Sequence, residues 1–106
     1  MWRRSPRLTG YDYSATGVYF VTTCTRGRTC VLGHIDGDDV SLSSIGRAAE
    51  ACLLEIPQHH PGVSLDSYVV MPNHVHVVLA IDGPALGLVV GTFKAAVTRV
   101  TGAGEL

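Results

Sequence analysis

The run "SYVVMPNHVHVVLAI", Ser67 to Ile81, constrains the fold of this chain more than any other. Apolar, β-branched residues stand on both sides of a single Pro-Asn step. Proline presets the backbone for the second position of a tight turn, and Asn73 tolerates the unusual dihedrals that can follow. The segments "GVSLDSYVV" and "HVHVVLAI" are therefore predicted to pair as an antiparallel hairpin across "MPNH". Side chains alternate along a strand. His74, His76, Val78 and Ala80 then share one face, and Val75, Val77, Leu79 and Ile81 the other. The second set is wholly apolar and should pack under helices. The first set is mixed and should be the more open face.

The rest of the chain supplies those helices. "GVYFVTTCT", from Gly17, is rich in β-branched and aromatic residues and reads as a strand. "TCVLG" reads as a short partner strand. "HIDGDDVSL" carries a hairpin turn at Asp36-Gly37. Ser43 or Ser44 can cap a helix. In it Ile45, Ala48, Ala49, Cys52, Leu53 and Ile56 fall on one stripe, with Pro57 and Pro61 ending it. A second helix is predicted from Pro84, with Leu86, Val89, Val90, Phe93, Val97 and Val100 as its buried stripe. The order is strand, small hairpin, helix, strand, strand, helix. That is an α+β fold with helices over one face of an antiparallel sheet, the ferredoxin-like β-α-β-β-α-β plan without its last strand.

At 106 residues the chain fits one domain, 1–106. Apolar residues at 46% and charged residues at 16% provide a core and argue against disorder. No apolar run approaches the roughly 20 residues that span a bilayer, and "MWRRSPRLTGYDY" has no apolar stretch behind its basic residues. No membrane association is expected. Cys24, Cys30 and Cys52 are odd in number and lack a CxxC spacing, so they read as reduced thiols of a cytoplasmic protein. The net charge of −1 hides an asymmetry. The first 28 residues hold Arg3, Arg4, Arg7, Arg26 and Arg28 against Asp12 alone. A basic arm interleaved with Trp2, Tyr11 and Tyr13 can meet a polyanion and stack on bases. A solvated terminus explains the same residues.

Two imidazoles two residues apart on one strand face stand roughly 7 Å apart at Cα and can converge on one ion. The spacing alone leaves open half of a metal site, or two polar residues on a half-exposed strand.

The wider context narrows this. "YVVMPNHVHVVL" resembles the HUH signature of the IS200-like tyrosine transposases, and most of all the REP-associated tyrosine transposases. "RLTGYDYSATGVYFVTTCTRGRTCVLG" resembles their N-terminal arm and first strands. "IGRAAEACLLEIPQHHPGVSLDSYVVMPNHVHVVL" resembles their first helix and HUH hairpin, and "GLVVGTFKAAVTRV" the helix with its lysine. The resemblance implies binding of single-stranded or hairpin DNA. It implies a divalent ion, Mg²⁺ or Mn²⁺, held by His74 and His76 at the scissile phosphate. It also implies a tyrosine nucleophile that forms a 5′-phosphotyrosine link and frees a 3′-OH, which amounts to DNA transposition. Imidazole suits Mn²⁺ less well than carboxylate does, so a third, polar ligand is expected to matter. Asn73 carries over as part of the motif. Tyr11 matches the arm, while Lys94 and Arg99 are candidates for contacts to the DNA backbone.

The chain departs from that family in one respect. The nucleophilic tyrosine should follow a final strand, on a further helix. The tyrosines here are Tyr11, Tyr13, Tyr19 and Tyr68, and Tyr68 reads as a packing residue. The expectation is a C-terminally truncated domain, inactive alone. A missing last strand would leave "GVYFVTTCT" as an unpaired edge open to self-association; a homodimer also remains open. Two other readings stand beside the transposase. One is a metal-dependent hydrolase whose third ligand is His34, His59 or His60. The other is a non-catalytic ferredoxin-like remnant that binds nucleic acid.

Overall fold

A computed structural model describes residues 16–102 and 104–106. The expected basic arm with Arg3, Arg4, Arg7 and Tyr11 lies outside the described residues. Strand β1 (Gly17–Cys24) is followed by the hairpin β2 (Gly33–Asp36) and β3 (Asp39–Leu42). Helix α1 (Ser44–Leu54) and the short α2 (Ile56–His59) lead to β4 (Val63–Met71), β5 (His74–Ile81) and α3 (Leu86–Thr101). The three long strands form one antiparallel sheet in the order β1-β5-β4, and β2-β3 stands apart. The layered α+β plan predicted from the sequence is the one observed.

The strand that carries both histidines is the central one. Its alternation holds residue by residue. Val75, Val77, Leu79 and Ile81 are buried, while His74, Val78 and Ala80 are half-buried and His76 is exposed. Tyr19, Val21 and Thr23 of β1 join the buried side. Ala49, Cys52, Leu53 and Ile56 from one helical layer and Leu86, Val89, Val90, Phe93 and Val97 from α3 close the core over it.

β4 does not alternate evenly. A bulge leaves Asp66 without a partner, because Leu65 pairs with Leu79 and Ser67 with the adjacent Val78. Residues before the bulge face the core on odd numbers and residues after it on even ones. Val63 and Val70 are thus both buried. Val69 and Met71 lie opposite His76 and His74 on the open face.

Several expectations need correction. "TCVLG" is not a strand; pairing starts at Gly33, and Gly37 takes the first loop position with φ 64°. Leu32 instead plunges fully into the core and donates its N–H to the Pro72 carbonyl. The Leu32 carbonyl lies so close to α1 that a Cβ on Gly46 would overlap it. Ser43 caps α1 by accepting from Gly46 N at 3.0 Å, and its hydroxyl donates to Val31 O at 2.7 Å. Pro57 does not end the helical stretch. The helix breaks at Glu55, and proline sits in the first turn of α2, where no N–H is required. Pro84 precedes the Ala85 cap of α3 rather than opening the helix. Val100 is 63% exposed, off the buried stripe. Asn73 keeps a negative φ, so the Pro72-Asn73 turn needs no left-handed residue. In the three-stranded sheet β1 is an edge, as expected, and β4 is the other. No described helix is long and apolar enough to cross a membrane.

Candidate metal and nucleic-acid site

His74 and His76 project from the open face of the central strand. Their ring centroids are 4.6 Å apart with planes at 78°. Each ring is fixed through Nδ1. His74 Nδ1 lies 2.8 Å from Asn73 Oδ1. An amide oxygen only accepts, so the His74 proton sits on Nδ1 and the Nε2 lone pair is left for a ligand. His76 Nδ1 lies 2.8 Å from the Thr22 hydroxyl on β1. That contact follows from register, since Thr22 is the cross-strand partner of His76. A metal-binding histidine uses one ring nitrogen and is held through the other. The pair has that form on both rings.

Burial is the main reason His74 is held below the usual histidine pKa, and the positive charges of His76 and Arg28 add to it. Neutral imidazole is the metal-binding form, and the lowered pKa keeps the His74 ring in it, although the burial and positive neighbours that do so weigh against any cation. Two imidazole nitrogens would supply two ligands of a coordination shell. Among the described residues no three His, Cys, Asp or Glu side chains come together to complete one. His34 lies on β2, and His59 pairs with Glu55 at 3.6 Å. His60 lines a cleft with Cys52 and Phe93 on the helical side. None of the three joins the His74–His76 pair.

The two described tyrosines are on the other side of the sheet as well. Tyr19 is buried on the core face. Tyr68 pairs across from Val77, and its hydroxyl donates to Glu50 Oε2 on α1 at 3.1 Å. That bond, ahead of burial, pushes its pKa up. Lys94, half-buried, and Arg99, exposed, sit on α3, which covers the face opposite the histidines. Asn73 does join the pair, with more than a turn role. The open face continues along β1 through Phe20 and Val18, 66% and 61% exposed.

Two residues were missed by reading the sequence alone, Thr22 and Arg28. Threonine in a strand is ordinary, and only the β1–β5 register places Thr22 beside His76. Arg28 was counted as part of a basic end, with no sign that its loop folds against the histidine turn.

No family model matches the sequence. The chain is 39% identical over 79 residues to an uncharacterized protein of Haemophilus influenzae, covering 74% of this chain and 44% of that one. It superposes on the structure of a REP-associated tyrosine transposase bound to a REP hairpin with a TM-score of 0.63, at 16% identity. That match covers 94% of this chain and 55% of the other. A candidate transposase from Deinococcus radiodurans gives a TM-score of 0.62 at 24% identity, over 92% of this chain and 65% of that one. The chain thus spans less than half of the Haemophilus relative and less than two thirds of each solved chain. At these identities the likeness is one of fold, and the fold of this chain is that of the two transposase structures.

Proposed function

We propose that this chain is the strand-holding core of an IS200-like transposase domain, binding single-stranded or hairpin DNA across the open face of its sheet. The observation that carries the reading is the histidine pair on the open sheet face, each ring engaged through Nδ1. The transposase fold supports it, and one of the two similar structures holds a REP hairpin. His74 and His76 would hold a divalent ion, Mg²⁺ or Mn²⁺, with Asn73 and Thr22 orienting them. When bound, such an ion supplies Lewis-acid polarisation of a phosphoryl oxygen. Phe20 offers a base a ring to stack on. The Arg3, Arg4, Arg7 and Tyr11 arm supplies further contacts to phosphates and bases. No described tyrosine faces the histidines, so the nucleophile comes from polypeptide outside the described residues. The setting is DNA-associated and cytoplasmic, and β1, as an edge, is the place for self-association or a homodimer.

A second reading has its own observation. With two ligands and no facing tyrosine among the described residues, the chain by itself is a binding module rather than a strand-transfer enzyme. One experiment addresses both. His74→Ala/His76→Ala is compared with the parent for Mn²⁺ binding by electron paramagnetic resonance and for hairpin-oligonucleotide binding by gel shift. Loss of Mn²⁺ binding with DNA binding retained supports the transposase core. Mn²⁺ binding unchanged by the double substitution refutes the histidine site. A parent that binds DNA but no Mn²⁺ favours the binding module.

A further inference from the structure

The loop from β1 to the β2–β3 hairpin has an unusual backbone. Arg28 N donates to Thr25 O at 3.0 Å and closes a tight turn. Gly27 takes its third position at φ 65°, ψ 12°, a conformation open to glycine without strain. Arg28 follows at φ 56° and is the one non-glycine residue with positive φ among those described. A long side chain is unfavourable there. Such strain persists where the surroundings over-determine it, and it concentrates at ligand-holding positions.

The surroundings here are specific. The Thr25 hydroxyl donates to Thr29 O at 2.7 Å and to Asn73 O at 3.2 Å. The Thr29 hydroxyl donates to Arg26 O at 3.1 Å, and Thr25 N donates to Asn73 O at 3.0 Å. The arginine turn is thereby fastened to the Pro72-Asn73 turn, one residue before His74. The two arginines then part company. Arg26 lies against Gly104, and its N–H donates to Glu105 O at 2.7 Å. Arg28 is exposed, and the one ion pair among the described residues is Glu55–His59, so no described carboxylate neutralises it.

We propose that Arg28 is a phosphate grip: its guanidinium holds one backbone phosphate of a nucleic-acid strand whose adjacent phosphate lies at His74 and His76. This rests on the nucleic-acid reading above and adds a residue to it. A guanidinium can grip phosphate oxygens two at a time, which fixes position without reading sequence.

Arg28→Gly separates fold from function, because glycine accepts φ 56° while the charge is lost. The assay is fluorescence anisotropy with a labelled hairpin oligonucleotide bearing a single-stranded flank, in EDTA, over a salt series. One single-strand phosphate contact is worth a slope of about 0.7 in log K against log salt, or roughly fivefold in affinity at about 0.1 M. Arg28→Gly should lose that much while melting no earlier than the parent, and Arg28→Lys should keep the slope. Equal affinity and slope for Arg28→Gly and the parent overturn the grip and leave the nucleic-acid reading standing. A parent that binds no oligonucleotide overturns both. A loss that varies with base sequence at constant slope also overturns the grip.

Discussion

Thr22→Val tests whether the histidine pair is held ready by its neighbours. Valine keeps the β-branched shape and suits the strand, while the hydroxyl 2.8 Å from His76 Nδ1 is removed. The contact is exposed, so its worth to folding is at most about 1 kcal/mol. Its worth to a bound ion is larger. Removing the group that holds a ligating histidine typically costs 10–100-fold in metal affinity, or about 1.4–2.8 kcal/mol. Titration with Mn²⁺ or Co²⁺ should show a loss in that range with little change in melting temperature. Nitrogen-15 NMR of the imidazole should show the His76 tautomer populations shifting toward those of free histidine, while the His74 tautomer, held by Asn73, stays put. Thr22→Ser should restore both readouts. Unchanged metal affinity together with an unchanged His76 tautomer would refute the reasoning, since the ring would then be oriented by something else.

Three further outcomes follow from the same contacts. Gly46→Ala forces a Cβ into the Leu32 carbonyl and should destabilise the chain by about 3 kcal/mol or more, seen as a large drop in thermal midpoint. Ser43→Ala removes both the α1 cap and the bond to Val31 O and should cost about 1–2 kcal/mol by urea unfolding. His74 has a depressed pKa in the folded state. Below the ordinary value of 6.5, the unfolded chain takes up a proton there more readily than the folded one. Stability should be flat above that pH and fall as pH drops from it toward the folded pKa. His74→Gln should flatten this dependence in melting curves from neutral to mildly acidic pH; an unaltered slope would contradict the assignment.

The parts of this fold that could be read from the sequence are those set by local rules. The β5 alternation, the Pro72-Asn73 hairpin and the Ser43 cap each depend on neighbours within a few residues. What escaped depended on register or on packing at a distance. The bulge at Asp66 lets Val63 and Val70 face the same core, and an unbroken alternation put them on opposite faces. Ile56 continued the α1 stripe so well that the break at Glu55 was hidden. Val100 fits the α3 period but lies where the helix has run past the core. At the site, the histidine pair was legible as a motif. Thr22 and Arg28 became visible only once β1 was registered against β5 and its following loop was fastened to Asn73.

The position of the histidines in the middle strand also bears on time. β5 is hydrogen-bonded to a strand on each side, so its amides should be among the last in the chain to exchange with solvent. The two imidazoles ride on the slowest-opening segment, whereas Arg28 sits in a surface turn at the end of an edge strand. For the proposed ion, the entropy of arranging these two imidazoles would be met during folding rather than at binding.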